Sequence, residues 1–389
     1  MDFSWINTHI NDDTAKLRLK YGRERADEIL QIECRRKHGS KLAETLAANP
    51  EFVFPTALSG EQSTSDRLAR FHAALVGHAA RVADLTAGLG IDAMSMASKT
   101  GNVVAVERDA DVADALRSNS SSLGNLEVVC ADCRDVVEAW ARDGISFDCI
   151  FIDPARRAAD GGRVYALDQC EPDVVAMLPT LKRITRRLVI KASPMLDITH
   201  TLGLLPDANE VIVLGTPTEC KELDIVCDFS YPTESPLIRA VTLGNGFESV
   251  FEFTRPQDAA ASVTTATPKA GDYVFDPYPA VMKAAPLKIL GERFGLKKLA
   301  PNTHLWTSAE AVGGFPGRTF MVVEALPYMS KHIKRYASRY PKVSVTTRNF
   351  DMSSDALRAK LRVADGPLRL FAVSTPTQKL LLTCEEVND

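Results

Sequence analysis

The hydrophobic pattern changes character along the chain and divides it into regions. Residues 14–48 carry apolar positions at helical spacing with many charges between them, which predicts amphipathic helices. A further helix is expected at about 64–77, because a Ser/Thr/Asp cluster at its start can cap it. From about 81 to 229, short apolar runs alternate with helical stretches, which is the pattern of a parallel sheet buried on both faces.

The predicted strands of this sheet are 81–85, 102–107, 126–130, 147–153, 187–191 and 210–215. After 215 the helical stretches stop. The apolar runs 222–229 and 237–244 follow at hairpin distance, so antiparallel strands are expected to finish the sheet. Residues 255–271 are rich in Ala, Thr, Pro and Ser and predict a linker or a long surface loop.

The last section of the chain mixes helices and strands at short intervals, which indicates small α+β units. Its predicted helices are about 279–294 and 353–361, and its predicted strands are 319–324, 342–347, 368–374 and 379–383. The expected domains are a helical region over 1–78, an α/β domain over 79–254, a small ferredoxin-like α+β module over 272–333 and a further small domain over 334–389.

Composition and charge narrow the class of protein. The 389 residues are 45% hydrophobic and 25% charged, which is ordinary for a globular protein. The net charge of -4 excludes a uniformly basic nucleic-acid coat but allows a local basic face. The sequence has no apolar run of about 18 residues and no secretory signal, and its eight scattered cysteines are typical of reduced thiols. We therefore expect a soluble, cytoplasmic protein without a membrane span.

A glycine loop is the most informative segment. The apolar run at 82–85 leads into Gly88-x-Gly90 and then into a helical stretch. Glycines permit close approach of the backbone to a ligand, and a helix N-terminus offers free N–H groups. Taken alone, the loop also fits a dinucleotide fingerprint or a plain turn between strand and helix.

Four acidic residues at successive strand ends sharpen this interpretation: Asp84, Glu107, Asp132 and Asp153. In open α/β sheets, ligands bind outside the carboxyl ends of the strands, so these four side chains are expected to line one crevice. Glu107 can accept hydrogen bonds from both ribose hydroxyls, and Asp132 from an adenine amino group. A nicotinamide enzyme has a use for Glu107 but no particular use for Asp84 or Asp132.

With these residues in this order, the chain resembles the class I S-adenosylmethionine-dependent methyltransferases over about 80–230. The resemblance implies a Rossmann-like α/β sheet, mostly parallel with its last strand antiparallel, and S-adenosylmethionine as cofactor. It places Asp84, Gly88 and Gly90 around the methionine part of the cofactor, Glu107 at the ribose and Asp132 at the adenine. The full set of cofactor candidates is Gln62, Thr64, Asp84, Thr86, Ala87, Gly88, Gly90, Asp92, Glu107, Arg108, Asp132 and Cys133.

The segment Asp153-Pro154-Ala155-Arg156-Arg157 occupies the catalytic position of that family. Enzymes that methylate exocyclic base amines carry Asp/Asn-Pro-Pro-Tyr/Phe there, and this chain departs from the pattern at Ala155 and Arg156. The catalytic candidates are Asp153, Pro154, Arg156 and Arg157. Arginine can stack on a base or bind phosphate, although both arginines also fit a helix cap or ion pairs.

Three neighbouring motifs are weighed against simpler explanations. Uridine C5 methyltransferases need a cysteine nucleophile after strand 5, and 190–194 (IKASP) has none, so covalent C5 chemistry is not expected. Residues 61–67 (EQSTSDR) resemble a segment that closes over the cofactor in guanine-N2 ribosomal RNA methyltransferases, and they fit an ordinary capping cluster equally. Cys130-x-x-Cys133 stands alone without histidines at ligand spacing, so no metal is expected.

A basic stretch near the carboxyl end predicts contact with nucleic acid. Residues 331–370 hold ten Lys/Arg and three Asp/Glu, an excess of +7, with Tyr336, Tyr340 and Phe350 among them. This is the electrostatic footprint of RNA binding, with a merely solvated basic face as the alternative. The candidate substrate-binding residues are Lys334, Arg335, Arg339 and Arg348.

The segments 273–308, 317–320 and 347–350 resemble the carboxyl-terminal part of a bacterial family that joins a class I methyltransferase domain to a THUMP-like domain. True THUMP domains bind structured RNA, so the resemblance implies tRNA or rRNA as the partner. The leading hypothesis is methylation of a base nitrogen in structured RNA. The alternatives are a methyltransferase of a small molecule or protein, and a catalytically inactive RNA-binding scaffold.

Overall fold

The structure is a computed structural model that describes residues 1–156 and 166–387, without the side chain of Arg156. The described residues form two compact units, 1–209 with 224–232 and 210–223 with the residues from 233 onward. Among them, no helix is both long and apolar enough to span a membrane.

The first unit opens with short helices, as the sequence predicts. They are α1 (Phe3–His9), α2 (Thr14–Tyr21), α3 (Ala26–His38), α4 (Ala43–Ala48), α5 (Ala57–Gln62) and α6 (Asp66–Val76), with a 3₁₀ turn at Gly22–Arg25. Asp13, Thr56 and Ser65 cap α2, α5 and α6 through their side-chain oxygens. Phe52 and Phe54 are fully buried in one cluster with Leu89 and Ile91. These helices therefore pack directly against the glycine loop.

The parallel sheet of the first unit alternates strands with helices. Its elements are β1 (Arg81–Asp84), α7 (Ile91–Ala97), β2 (Asn102–Glu107), α8 (Ala110–Asn119), β3 (Leu126–Cys130), α9 (Cys133–Asp143), β4 (Phe147–Ile152), β5 (Ala155–Arg156), β6 (Cys170–Glu171), α10 (Val174–Ile184), β7 (Thr185–Ala192) and α11 (Ile198–Leu204). The spatial order is β3-β2-β1-β4-β7, all parallel, while β5 and β6 form a separate antiparallel ribbon. The five strands of the parallel order are predicted within about two residues, and all of them except the edge strand β3 are buried over most of their length.

The next strands are β8 (Ala208–Gly215), β9 (Cys220–Asp228), β10 (Leu237–Gly244) and β11 (Phe247–Phe253), and the second unit begins at Glu210 within β8. A tight turn from Thr216 to Glu219 joins β8 to β9, so β9 runs antiparallel, as predicted for the last strand. The part of β9 from 224 onward belongs to the first unit, where it lies beside β7.

The predicted hairpin between 222–229 and 237–244 is wrong. Strand β10 pairs in parallel with β8, at Ile238 opposite Val211, and antiparallel with β11, which the sequence did not reveal. The connection at 229–236 contains two prolines and is too long for a two-residue hairpin turn. The chain therefore passes β9 and returns beside β8.

The rest of the second unit forms a seven-stranded sheet covered by helices. Its elements are α12 (Arg255–Ala260), β12 (Tyr273–Pro277), α13 (Pro279–Ala284), α14 (Ile289–Arg293), β13 (Lys297–Ala300), β14 (Thr303–Ser308), β15 (Gly317–Pro327), α15 (Ser330–Arg339), β16 (Lys342–Arg348), α16 (Ser354–Leu361), β17 (Ala364–Ser374) and β18 (Lys379–Val387). The order is β13-β14-β12-β15-β18-β17-β16, and β16 pairs in parallel with β17. The predicted α+β character is confirmed.

Two local predictions differ from the structure. Residues 255–271 contain the helix α12, because Thr254 and Gln257 form a capping box, and Thr265 bridges to Lys298. The single helix predicted at 279–294 is two helices, because Ala285 takes a left-handed backbone conformation at φ 58° and Pro286 follows it.

Candidate cofactor and acceptor site

The carboxyl ends of the parallel strands bring the predicted acidic residues to one edge of the first unit. Asp84 ends β1, Glu107 ends β2, Asp132 follows β3 and Asp153 follows β4, while Lys191 stands near the end of β7. Because these strands are parallel neighbours, their ends form one polar rim.

The glycine loop is fixed by backbone geometry and by Glu107. Gly88 and Gly90 have φ angles of 52° and 79°, a left-handed conformation that favours glycine. A Cβ on Gly90 would lie 2.0 Å from Leu116 Cδ1, whereas a Cβ on Gly88 would meet no atom within 4 Å. Gly88 donates its N–H to Glu107 Oε2 at 2.9 Å, and Asp109 donates to Glu107 Oε1 at 2.8 Å. Two amides therefore hold one carboxylate beside open space.

Asp132 is engaged by a neighbouring side chain. It caps α9, and Arg134 donates to both of its oxygens, at 2.9 and 2.6 Å. This hydrogen-bonded pairing lowers the pKa of Asp132 to about 2. Arg108 lies in the same exposed group of charges, 3.1 Å from Glu171, and Cys133 is buried, which raises the pKa of its thiol to about 11.

Asp84 is a buried carboxyl group at the end of β1. Its Oδ1 accepts a hydrogen bond from the Thr86 N–H at 3.1 Å. Burial, followed by repulsion from Asp92, raises its pKa to about 8. At neutral pH the Asp84 side chain therefore carries a proton in this arrangement.

Asp92, on the first turn of α7, is the centre of a buried polar cluster. Thr64 Oγ1 donates to Asp92 Oδ2 at 2.5 Å, and His72 Nδ1 lies 2.7 Å from Asp92 Oδ1. The other ring nitrogen of His72 is 3.6 Å from Asp224 Oδ1. Burial acts to raise the pKa of Asp92, but the charge and hydrogen bond of His72 outweigh it, so the pKa is lowered.

Asp153 and Lys191 form an ion pair at the acceptor end of the rim. Lys191 Nζ lies 2.5 Å from Asp153 Oδ2 and donates to Thr64 Oγ1 at 3.1 Å. The Asp153 N–H donates to Thr86 Oγ1 at 2.7 Å, which ties the end of β4 to the glycine loop. The Asp153 side chain is 37% exposed and that of Lys191 only 12%. Pro154, which follows Asp153, is buried.

His72 and Lys191 are polar residues of this rim that sequence reasoning missed. His72 lies on the apolar face of α6 with Ala69, Ala73 and Val76, and this position was the available signal. Lys191 ends an otherwise apolar strand, in a stretch considered only for its lack of a cysteine. The residues that His72 and Lys191 contact are distant in the sequence, so no local sequence motif indicates that these two residues belong to the site.

Some predicted site residues stand apart from this cluster. Gln62 is exposed at the end of α5, while Ala87 is buried in the loop. The backbone of Ala155 and Arg156 pairs with Cys170 and Glu171. The Arg156 side chain and all of Arg157 lie outside the described residues, so their proposed roles stay predictions.

The basic residues of the second unit follow one helix. Lys334, Arg335 and Arg339 are exposed on α15, and Arg339 pairs with Glu324. Arg348 is instead paired with Asp276 at 3.2 Å, and burial raises the pKa of that carboxyl group although Arg348 opposes the shift.

The expectation of a surface aromatic at Tyr336 is wrong. Its side chain is 2% exposed, and its hydroxyl lies 2.6 Å from Thr383 Oγ1. Tyr340 and Phe350 pack as partly buried members of the same hydrophobic cluster. Their spacing reflects the apolar side of α15 and its neighbours rather than a stacking surface.

Family models match three parts of the chain. A family described as conserved hypothetical protein 95 matches 66–163, a ferredoxin-like domain matches 273–316, and a THUMP domain-like family matches 317–386. The first match spans the glycine loop and the Asp153-Pro154 segment. The other two divide the second unit's carboxyl-terminal sheet between them.

Relatives with assigned names extend the similarity to nearly the whole chain. An uncharacterised S-adenosylmethionine-dependent methyltransferase of Mycobacterium tuberculosis is 26% identical over 356 residues, 89% of this chain and 92% of its own length. A crystal structure described as a methyltransferase, from Porphyromonas gingivalis, is 29% identical with a TM-score of 0.89, covering 99% of this chain and 97% of that one. A 23S rRNA (uracil-C5)-methyltransferase of Xylella fastidiosa is 40% identical over 87 residues, 21% of this chain and 19% of its own length.

These similarities bear on the predictions made from the sequence. The predicted fold class, the enzyme class and the cofactor, those of an S-adenosylmethionine-dependent methyltransferase, are confirmed by the long relatives. The predicted THUMP-like domain at the carboxyl end is confirmed by the family model.

Proposed function

We propose that this protein transfers a methyl group from S-adenosylmethionine to a nitrogen of a base in structured RNA, tRNA or rRNA. The observation that carries the proposal is Asp153-Pro154 at the carboxyl end of β4, next to the glycine loop and anchored to it through Thr86. The domain limits drawn above and the cytoplasmic location stay predictions.

The residues of the rim fit the cofactor. The open space above Gly88 and the carboxylate of Glu107 beside it suit a ligand that carries ribose hydroxyls. Asp84 would face the cationic amino group of the methionine part, and such a charge favours the ionised form of a carboxyl group with a raised pKa. Asp132 would accept a hydrogen bond from the adenine amino group, either in addition to the one from Arg134 or in its place.

The transfer itself requires little of the protein beyond alignment. When bound, S-adenosylmethionine would supply an electrophilic methyl group: the acceptor nitrogen's lone pair would form the N–C bond as the C–S bond breaks, the electron pair would stay on sulfur, and the proton lost by the acceptor would pass to water. Asp153 and the adjacent backbone carbonyl accept hydrogen bonds from the acceptor's N–H groups and so direct its lone pair. Pro154 restricts the backbone conformation at that point.

The choice of RNA rests on the second unit and on one relative. The exposed face of α15 carries Lys331, Lys334 and Arg335 without an intervening acid, which suits a phosphate backbone. The THUMP-like match covers this helix, and the short similarity to a ribosomal RNA methyltransferase covers part of the chain.

Two measurements test the proposal in sequence. Calorimetric titration with S-adenosylhomocysteine should give binding in the micromolar range. Incubation with S-adenosylmethionine and total RNA from a strain that lacks the gene should then produce one methylated nucleoside, detected by mass spectrometry. No cofactor binding by folded protein contradicts the enzyme assignment, and binding without any change in RNA contradicts the substrate assignment.

A further inference from the structure

Lys191 has a position in the site that neither the cofactor nor the acceptor prediction uses. We infer that Lys191 is a positioning residue that holds Asp153 as a charge-balanced hydrogen-bond acceptor, so that the site takes a neutral, planar N–H group and rejects a cationic amine. The inference rests on the proposed function and narrows it to an acceptor class.

Three separate parts of the first unit meet at the Lys191 ammonium group. Its Nζ lies 2.5 Å from Asp153 Oδ2, at the end of β4, and 3.1 Å from Thr64 Oγ1, in the segment before α6. Thr64 in turn donates to the buried Asp92 at 2.5 Å. Lys191 is therefore fixed from two sides, and an ammonium group held in this way fixes the carboxylate that it contacts.

The two side chains of the Lys191–Asp153 pair differ in their exposure to solvent. Lys191 is 12% exposed, whereas Asp153 is 37% exposed. Lys191 thus lies on the more buried side of the ion pair, and Asp153 is the member more accessible to an acceptor. The Asp153 N–H is held by Thr86 at 2.7 Å, so both the backbone and the side chain of this residue are restrained. Restraint of this kind matters because a misplacement of about 1 Å can cost 100-fold in rate.

The charge balance of the pair selects the acceptor. A lone carboxylate in a partly buried site attracts a cationic ammonium or guanidinium group. With Lys191 in contact, the Asp153 carboxylate still accepts hydrogen bonds, while the Lys191 charge, which Asp84 and Asp92 also feel, reduces the attraction of the carboxylate for a second cation. A base amino group is neutral and planar and donates N–H, so it fits this pair. The side chain of a lysine acceptor at neutral pH does not.

The test compares Lys191→Met, Asp153→Ala and the double variant, with Lys182→Met as the matched control. Lys182 is 40% exposed on α10 and pairs with Asp207, away from the rim. Each protein is titrated with S-adenosylhomocysteine and assayed with methyl-labelled cofactor. Two acceptors are offered: RNA from the gene-deletion strain and a lysine-rich peptide. Unchanged S-adenosylhomocysteine affinity shows that each variant is folded.

We expect the wild type to label RNA and not the peptide. Lys191→Met should lose about 100-fold in kcat, with KM and cofactor affinity within about twofold of wild type. The double variant should be no worse than Asp153→Ala alone, because Lys191 acts through Asp153. Thr64→Val, which removes the second anchor of Lys191, should give a smaller loss of about tenfold. Lys182→Met should match the wild type.

Three results overturn the inference while leaving the proposed function standing. They are Lys191→Met with wild-type turnover on RNA, losses that multiply in the double variant, and labelling of the lysine peptide alongside RNA. Absence of cofactor binding, or of RNA labelling by the wild type, contradicts the proposed function itself, and the inference falls with it.

Discussion

The two polar surfaces of this protein are built in opposite ways. In the first unit, Asp92 on α7 and Lys191 near the end of β7 are largely buried, and each is held by partners at 2.5 to 3.1 Å. On α15 of the second unit, Lys331, Lys334 and Arg335 are exposed on the outer face of the helix. Buried pairs act over short distances and resist salt, whereas exposed charges act over longer distances and are screened.

The comparison separates the proposed methyl-transfer site of the first unit from the proposed RNA-binding surface on α15. A site of the first kind is sensitive to a single displaced atom and insensitive to ionic strength. A surface of the second kind tolerates the loss of one charge but weakens steadily as salt rises. Changes in the two regions should therefore give different signatures in the same assays, and five predictions follow from this difference.

The largest effect is expected from Glu107→Ala in the first unit. It removes the carboxylate that is proposed to bind the ribose hydroxyls and that accepts hydrogen bonds from the Gly88 and Asp109 amides. Affinity for S-adenosylhomocysteine should fall by about 100-fold, because the proposed hydrogen-bond acceptor for the ribose is lost together with the charged group that fixes the Gly88 and Asp109 amides. Calorimetry measures the change. Glu138→Ala, an exposed change on α9, serves as the control and should bind normally.

The next effect concerns stability rather than affinity. Gly90→Ala places a Cβ 2.0 Å from Leu116 Cδ1 on a backbone with φ 79°, so overpacking and strain add. We expect a loss of about 2 to 4 kcal/mol in the free energy of unfolding, measured by urea titration. Gly124→Ala meets no atom within 4 Å and should stay near wild type. Equal stability of both variants would contradict the described packing of α8 on the loop.

A third effect should appear as pH dependence of cofactor binding. Asp84 has a pKa raised to about 8 by burial and by Asp92, so it is mostly protonated at pH 7. Binding of a cationic amino group favours the ionised form, so affinity for S-adenosylhomocysteine should rise about tenfold between pH 6 and 7, where the ligand's amino group still keeps its charge, with proton release on binding. Asp84→Asn should remove the pH dependence, and a flat profile in the wild type would argue against the role of Asp84.

The same group makes a prediction for folding with the opposite sign. The raised pKa means that the folded state keeps its proton where the unfolded chain, with a value of 3.8, has lost it. The contribution of Asp84 to stability should therefore decline as pH rises from about 4 to about 8. Urea titrations of the wild type against Asp84→Asn across this range isolate the effect.

The smallest effect is expected on the second unit. Lys334→Glu with Arg335→Glu should weaken RNA binding by about three- to tenfold and reduce the salt dependence by about one to two contacts. S-adenosylhomocysteine affinity should not change. Lys16→Glu, an exposed change on α2, is the control. A methyltransferase of small molecules would show no change in turnover after the double charge reversal.

The parts of this structure that the sequence predicted share one property, which is locality. The strands 102–107, 126–130 and 237–244 coincide with apolar runs in the sequence, and the first and last of them are buried over most of their length. The acidic residues at strand ends could be placed at one edge because parallel strands share their direction. The pairing of strands depends on residues that are distant in the sequence, so the position of β10 beside β8 was missed.

The missed parts of the candidate site depend on distant partners. Thr64, Asp92 and Asp153 were each predicted as site residues, whereas Lys191, which contacts Thr64 and Asp153, was not, and only the folded chain joins the four. Asp132 stays a predicted cofactor ligand, and the hydrogen bonds that Arg134 donates to both of its oxygens were not foreseen from the sequence. Tyr336 looked like a surface aromatic because its charged neighbours hid the apolar face of α15.

Transfer of a labelled methyl group to RNA tests the proposed chemistry most directly. RNA from a strain lacking the gene is incubated with labelled S-adenosylmethionine and either wild-type protein or Asp153→Ala, both first shown to bind S-adenosylhomocysteine. The account predicts one labelled base in RNA with the wild type and a loss of at least about 100-fold with the variant. Equal labelling by both proteins, or a label confined to protein or small molecules, would contradict it.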